Sequence, residues 1–217
     1  MTSAISASRG KRVFHDHGIL PRRRLLIGAG GAVFAALAGC SKNEVAEPAA
    51  SKSGAAAPPP ESSRQAYEVA SRGTGFVVGQ AMAARSVLVF FDPQCPHCAT
   101  LWVAAKPLHD RIRMVWMPVA FISPSSGPQG SVILAAKDPA GMMNQHESLL
   151  ASGQGGLAVP GPANPELLAK IKANTELWQS LKAGSVPHLV YRLGVDGPYG
   201  VQSGGMPTAQ LAQLLQL

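Results

Sequence analysis

The sequence is poor in cysteine, in aromatic residues and in charge. Of its 217 residues, three are cysteine, 6% are aromatic and 14% are charged. It has no second Cys-x-x-Cys pair and no paired histidines at zinc-site spacing after the first pair, so a four-ligand structural zinc site is not expected. No Lys- and Arg-rich stretch is interleaved with aromatic residues, which argues against nucleic-acid binding. The length and the 46% hydrophobic content suit one domain, or a small pair of domains, with a packed core.

The basic charge is concentrated near the N-terminus. Residues 1–39 carry six arginines or lysines and one aspartate, so most of the net charge of +7 belongs to this segment. The apolar run 25–39 is too short to span a bilayer comfortably, but it has the length of the apolar part of an export signal. We therefore expect residues 1–39 to be a signal peptide. Arg22 to Leu26 resembles a twin-arginine signal, although an ordinary secretory leader with a basic start is equally compatible.

Cys40 directly follows the apolar run. Leu37 to Ser41 resembles a bacterial lipobox, and this resemblance implies a lipid on the Cys40 sulfur that anchors the protein to a membrane in the periplasm. By the same resemblance, Ser41 favours the outer membrane over the inner one. The alternative is an ordinary secretory leader with a chance cysteine. Residues 40–66 are rich in Ala, Ser and Pro without a periodic apolar face, and we expect them to form a disordered tether.

The segment Asp92 to Ala99 contains the motif Cys95-Pro96-His97-Cys98. It follows the short apolar run Val87 to Phe91 and precedes a helix-compatible stretch. The order strand, Cys-x-x-Cys, helix is the layout of a redox dithiol on a thioredoxin-type fold. The first turn of a helix has free N–H groups and a positive dipole end, and both stabilise a thiolate. We therefore predict that Cys95 and Cys98 are catalytic and form a redox-active disulfide, with Cys95 attacking and Cys98 resolving.

The residues between the two cysteines are expected to tune them. Pro96 suits the first helical position, where no N–H is needed. His97 can donate to the Cys95 thiolate or place positive charge beside it, which stabilises the reduced state. One alternative is that His97 is an exposed histidine with little effect on the cysteines. A separate alternative is that Cys95 and Cys98 form a static structural disulfide. Ala99 excludes covalent haem attachment, which requires histidine at that position, and no cofactor or metal is expected.

The order of predicted elements indicates an α/β class, a thioredoxin-like fold with a helical insertion, over residues 67–217. After the active-site helix, Ile112 to Val119 is predicted to be a strand. A helical insertion over about 121–183 follows, and an antiparallel hairpin and a C-terminal helix close the chain. Trp102, Trp116 and Trp178 are expected in the core, and His109, His146 and His188 at surface or packing positions.

Over about residues 86–217 the sequence resembles the catalytic domain of the bacterial DsbC/DsbG disulfide isomerases, and DsbG most of all. The matching segments are Phe91 to Cys98, Ile133 to Ala140 and Val186-Pro187. The resemblance implies a periplasmic thiol:disulfide interchange enzyme, an oxidoreductase or isomerase. Its clients would be proteins with cysteines or disulfides, and a DsbD-like or DsbB-like membrane protein would be its redox partner.

Pro187 resembles the cis-proline that lies opposite the active site in this fold. The resemblance implies that Val186 and Pro187 bind the client, because a cis bond leaves the backbone groups of Val186 free to pair with an extended segment. An ordinary trans proline in a turn is the alternative.

Two departures from the DsbG pattern leave other functions open. DsbG-like proteins carry an N-terminal dimerisation domain for which this sequence leaves no room, so we expect a monomer. Pro96-His97, and Val186 before the proline, resemble the oxidase DsbA, which makes a disulfide-donating oxidase the first alternative. A non-catalytic peptide-binding lipoprotein is another. A further alternative is a dithiol that handles Cu(I), for which the candidate additional ligands are Met114, Met117, Met142 and Met143.

Overall fold

The computed structural model describes residues 60–217. The predicted signal peptide, the lipidation site Cys40 and most of the predicted tether lie outside these residues. The described chain contains five strands and six α-helices, with a 3-10 turn after the second helix. In chain order they are α1 Pro60–Ala70, β1 Phe76–Gly79, β2 Arg85–Phe91, α2 Pro96–Ala105, the turn Lys106–Leu108, β3 Arg113–Pro118, α3 Ser126–Ala135, α4 Pro139–Ala151, α5 Pro165–Ser180, β4 His188–Leu193, β5 Tyr199–Ser203 and α6 Thr208–Leu214.

The five strands form one sheet in the order β1-β3-β2-β4-β5. The central strand β2 runs parallel to β3 and antiparallel to β4, and the two edge strands pair antiparallel to their neighbours. Residues 86–91 of β2 are all buried, as expected for a strand covered on both faces. The cysteine motif follows the end of β2 and therefore lies at the carboxyl edge of the parallel pair β2 and β3. The predicted α/β class and the hairpin of β4 and β5 are confirmed.

An aromatic cluster holds α2 against the sheet. The Trp102 and Trp116 rings meet edge to face with centroids 5.0 Å apart, and Phe91 packs against Trp116 at 5.6 Å. Trp102 and Trp116 are buried, as predicted. Trp178 is only partly buried and stacks on Phe121 with the centroids 4.6 Å apart. Edge-to-face pairs of this kind add to the free energy gained from burial, so α2 is firmly seated under the motif.

The helices α3, α4 and α5 form the predicted insertion between β3 and β4. A buried asparagine on α5 joins the insertion to the sheet. The Asn174 amide donates to the carbonyl oxygens of Thr74 at 2.7 Å and Pro118 at 2.9 Å, and its own oxygen accepts from the Thr74 N–H at 2.8 Å. Because a buried amide is costly unless it is bonded, this network fixes α5 at the end of β3.

The prediction that the tether extends to residue 66 is wrong at its C-terminal end. Residues 60–66 belong to α1, and Ala66, Tyr67 and Ala70 pack against the core. The Tyr67 ring lies 5.4 Å from the Tyr199 ring, centroid to centroid. The sequence of residues 60–66 has no clear helical signal of its own and follows an Ala- and Pro-rich segment. The helix packs against the hairpin, which lies far along the chain. Among residues 60–217, no helix has the length and apolar character needed to cross a membrane.

Candidate active site

Cys95 is the N-cap residue of α2. Its backbone is extended (φ −95°, ψ 113°), and Pro96 follows it in the first turn of the helix, as predicted. The Cys98 backbone N–H donates to the Cys95 sulfur at 3.3 Å. The sulfur therefore takes the place that a Ser or Asp oxygen usually has at a helix start. Both cysteines are free thiols, with Cys95 3% exposed and Cys98 fully buried.

The two cysteine sulfurs have different surroundings, which shift their pKa values in opposite directions. The pKa of Cys95 is lowered to about 7, first by the hydrogen bond from the Cys98 side chain and further by the backbone N–H groups of Cys98 and His97, which outweigh the opposing effect of burial. Burial raises the pKa of Cys98, and its hydrogen bond to Cys95 raises it further. One sulfur is thus available as a thiolate near neutral pH, while the other keeps its proton.

The Val186-Pro187 peptide bond is cis and lies against the Cys95 sulfur, so the trans alternative is wrong. The Cys95 thiol donates to the Val186 carbonyl oxygen at 3.5 Å. The Pro187 carbonyl accepts from the Gly204 N–H at 2.8 Å, which ties this loop to the chain after β5. The client-binding role of Val186 and Pro187 stays a prediction.

The His97 side chain is exposed, and its contribution to the Cys95 sulfur comes from the backbone N–H. The effect of the imidazole on the thiolate stays a prediction. The loop before α6 approaches this residue closely: a Cβ on Gly205 would lie 2.7 Å from the His97 carbonyl oxygen. Glycine at 205 therefore permits the contact between the loop and the active-site turn.

Asp92 anchors the turn that precedes Cys95. Its carboxylate is fully buried and accepts three backbone N–H bonds, from Gln94 and Phe121 at 2.9 Å and from Ile122 at 3.1 Å. The first of these bonds shapes the turn itself, and the other two join it to the chain after β3. Asp92 therefore has a positional role that the motif spacing did not reveal.

Two glutamines extend this anchoring to the insertion. The Gln94 amide donates to the Gln129 side-chain oxygen at 2.6 Å and to the Gly155 carbonyl at 3.0 Å. The Gln129 amide donates to the carbonyls of Gly155 at 2.8 Å and Leu157 at 3.0 Å. These hydrogen bonds hold the loop between α4 and α5 against Gln94, the residue immediately before Cys95.

His146 on α4 adds to these contacts and is fully buried. Its Nε2 lies 2.6 Å from the Pro93 carbonyl oxygen, and its Nδ1 accepts from the Leu157 N–H at 3.2 Å. Because a carbonyl can only accept and an amide N–H can only donate, the ring must be neutral with its proton on Nε2. Burial lowers the pKa of His146, in agreement with that state. The predicted packing role is too general, because His146 also orients the active-site turn.

Glu147, the next residue on α4, had no sequence signal. It is 8% exposed, and burial together with the Cys95 charge raises its pKa to about 7, against the opposing effect of Lys106.

His188, in contrast to His146, has only a packing role: its Nδ1 pairs with the Ser203 hydroxyl at 2.7 Å, and burial lowers its pKa to about 4. His109 is partly buried beside the Trp102 ring, with the ring centroids 6.1 Å apart.

The methionines considered for Cu(I) binding belong to the packed interior. Met114, Met117 and Met143 are almost fully buried, and Met142 packs against the core from a partly buried position. Within residues 60–217 no group of three His, Cys, Asp or Glu side chains is arranged to hold a metal ion.

A central strand that leads through a short turn to Cys-x-x-Cys at a helix start, with a cis-proline beside it, is the arrangement of a thioredoxin-like domain. Solved structures with the same fold include the catalytic domain of Proteus mirabilis ScsC, with a TM-score of 0.56 and 15% identity over 72% of this chain and 96% of that one. A periplasmic thioredoxin-like protein from Salmonella enterica serovar Typhimurium has a TM-score of 0.54 and 15% identity over 70% and 94% of the two chains. Pseudomonas aeruginosa DsbA2 has a TM-score of 0.52 and 19% identity over 63% and 90%.

The two curated relatives that the chain matches are both DsbG proteins. The chain is 31% identical over 140 residues to the thiol:disulfide interchange protein DsbG of Pseudomonas aeruginosa, covering 63% of this chain and 53% of that protein. It is 33% identical over 115 residues to DsbG of Escherichia coli K12, covering 52% and 46%. The chain thus spans about half the length of the curated relatives it matches. No family model matches it. Over these residues the chain is similar to DsbG, as the motifs predicted.

Proposed function

We propose that this protein is a periplasmic thiol–disulfide oxidoreductase of DsbG type that exchanges disulfides with client proteins through Cys95 and Cys98. The observation that carries the proposal is the separation of the two acidities. The Cys95 sulfur caps α2 and has its pKa lowered to about 7, whereas burial raises the pKa of Cys98. An attacking thiolate beside a protonated resolving thiol is what two-step exchange requires.

In the reducing direction the Cys95 thiolate attacks one sulfur of a client disulfide. A bond forms between Cys95 and that sulfur, the client S–S bond breaks, and the second client sulfur leaves as a thiolate and takes up a proton. Cys98 then loses its proton and attacks the Cys95 sulfur, which closes the Cys95–Cys98 disulfide and releases the first client sulfur. The client gains two electrons and the pair loses two. The reverse sequence donates a disulfide.

The Val186-Pro187 loop is proposed as the client-binding surface. The 3.5 Å contact from the Cys95 thiol to the Val186 carbonyl supports this role, because the two groups are neighbours. An extended client segment that pairs with the Val186 backbone would carry its own sulfur to Cys95, as in recognition by strand addition. The client side chains are then free to vary, which suits an enzyme for many proteins.

The acidity of Cys95 favours reduction or isomerisation over strong oxidation. A pKa of about 7 matches the roughly 7 of thioredoxin more closely than the roughly 3.5 of the strong oxidant DsbA. We propose that a DsbD-like membrane protein returns electrons to the pair.

The lipobox-like segment at Cys40 supports a lipid anchor in the periplasm, and the Ser41 that follows supports the outer membrane.

A trapping experiment tests the exchange. The Cys98→Ser variant should accumulate a mixed disulfide between Cys95 and a disulfide-containing client, because the resolving thiol is gone. The Cys95→Ser variant is the matched control and should form no such adduct and catalyse no exchange. Equal adduct formation by both variants, or unchanged exchange by Cys95→Ser, would overturn the proposal. The reduction potential of the wild type, equilibrated with glutathione, then decides between a reductase and an oxidase.

A further inference from the structure

Glu147 lies in the contact between α4 and the active-site helix α2. The two helices are tied by the Trp102 indole N–H, which donates to the Asn144 side-chain oxygen at 2.9 Å. Glu147 is 8% exposed and lines two adjoining grooves between the helices, of about 310 and 390 Å³. The first groove is shared with Pro96 in the first turn of α2, and the second with Lys106 just beyond its end.

The carboxyl group of Glu147 is incompletely bonded. Its Oε2 is buried and accepts no hydrogen bond from any residue of the described chain. A buried carboxylate oxygen without a protein donor disfavours the charged form, because no hydrogen bond from the described chain compensates its lost hydration. The side chain is therefore poised to hold a proton, and its pKa is raised to about 7.

Three neighbouring groups set the balance around this carboxyl. The Cys95 thiolate at the start of α2 favours the protonated form, and Lys106 after the end of α2 favours the ionised form. His146, which precedes Glu147 on α4, is neutral because both ring nitrogens are engaged by backbone groups. The Cys95 charge thus favours the protonated form of Glu147, and by reciprocity an ionised Glu147 disfavours the Cys95 thiolate.

We propose that Glu147 couples proton uptake to reduction of the Cys95–Cys98 pair. Two electrons from a donor dithiol break the disulfide and leave a thiolate on Cys95 and a thiol on Cys98, with one proton taken up by the Cys98 sulfur. The new negative charge on Cys95 causes Glu147 to take a second proton from solvent. Reoxidation returns both protons. Glu147 is a positioning residue, since its charge acts on Cys95 rather than on a client.

This coupling would make the redox preference of the cysteine pair depend on whether Glu147 is ionised. When Glu147 is ionised it opposes the Cys95 thiolate, so the reduced pair is a better electron donor. When Glu147 is protonated the thiolate is relieved, and the oxidised pair becomes the better acceptor. The inference rests on the proposed function only in taking Cys95 as the exchanging thiol.

The test compares Glu147→Gln, which removes the charge and keeps the shape, with Glu176→Gln, which changes an exposed glutamate on α5. Far-ultraviolet thiolate absorbance is followed against pH, and the equilibrium with glutathione is measured at about pH 8 and about pH 5. We expect Glu147→Gln to lower the Cys95 midpoint by up to about one pH unit. At about pH 8 it should favour the reduced form by about three- to tenfold, with little effect at about pH 5. The control should behave as wild type.

A second measurement keeps the inference testable if Glu147→Gln does not fold. Infrared difference spectra of the wild type, reduced minus oxidised near neutral pH, should show a gain of a protonated carboxyl band. Absence of that band, or identical titrations and equilibria for a folded Glu147→Gln and the wild type, would overturn the inference. These readouts use only the purified protein and a redox buffer. Failure of client exchange would therefore count against the proposed function and leave this result separate.

Discussion

The Nε2 atom of His146 lies 2.6 Å from the carbonyl oxygen of Pro93, and this contact joins the helical insertion to the turn that precedes Cys95. The two residues are 53 positions apart in the chain. On its other side the same ring accepts from the Leu157 N–H, so one buried side chain holds two backbone segments. The insertion is therefore part of the support of the active site.

We expect His146→Phe to destabilise the domain by about 1–3 kcal/mol, because it leaves the buried Pro93 carbonyl and Leu157 N–H without partners. Urea unfolding followed by circular dichroism measures this change. Gln179→Leu, an exposed polar-to-apolar change on α5, is the control and should shift the free energy of unfolding by less than about 0.5 kcal/mol. A His146→Phe protein as stable as the control would show that the contact is dispensable.

Stability should fall as the pH is lowered from about 6.5 towards about 4. Burial lowers the pKa of His188 from its ordinary 6.5 to about 4, and burial lowers the pKa of His146 as well. At both histidines the unfolded chain binds more protons between the folded and unfolded pKa values, so their stabilisation is complete above about 6.5 and is lost towards the folded pKa. The raised pKa of Glu147 acts in the opposite sense and offsets part of this loss. Urea midpoints across this range measure the effect.

A His188→Asn variant isolates one contribution to that pH dependence. Asparagine can still bond to the Ser203 hydroxyl but does not titrate, so its stability should decline less steeply between about pH 6.5 and 4 than that of the wild type. An unchanged slope would assign the acid sensitivity to other groups.

Removal of the Cys98 side-chain donor should raise the pKa of Cys95. The hydrogen bond from Cys98 is the largest cause of the lowered Cys95 pKa. Cys98→Ala removes this donor, and we expect a rise on the order of one pKa unit. Cys98→Ser is the matched variant because its hydroxyl still donates, so its shift should be smaller. Rates of alkylation of Cys95 against pH measure both, and equal values for the two variants would contradict this account.

Substitution at Gly205 should disturb the active-site turn. A Cβ at this position would lie 2.7 Å from the His97 carbonyl oxygen, a backbone atom that cannot move aside independently. We expect Gly205→Ala to cost about 1–3 kcal/mol in unfolding free energy and to slow the reaction of Cys95 with glutathione. Gly184→Ala is the control, since a Cβ there would meet no atom within 4 Å. Equal stability of the two variants would show that the loop adapts.

Sequence patterns were sufficient for the parts of the fold whose signals are local. The continuous apolar run at 87–91 predicted the central strand, and Pro96 after Cys95 predicted the helix start. The length of the insertion and the Val-Pro dipeptide also matched, because each is a short segment with its own signature. The first part of α1, residues 60–66, was missed because it directly follows the Ala- and Pro-rich segment and because the partners of this helix lie in the distant hairpin.

What the sequence by itself determined is the candidate site: two cysteines at helix-start spacing after a buried strand, in a segment that is similar to DsbG. What only the tertiary structure decided is the environment of those sulfurs. The Val186 carbonyl at Cys95, His146 at the Pro93 carbonyl and the buried Glu147 beside α2 all come from segments distant along the chain. Spacing along a chain reports which face a residue occupies, whereas a pKa depends on burial and on charges brought near by folding.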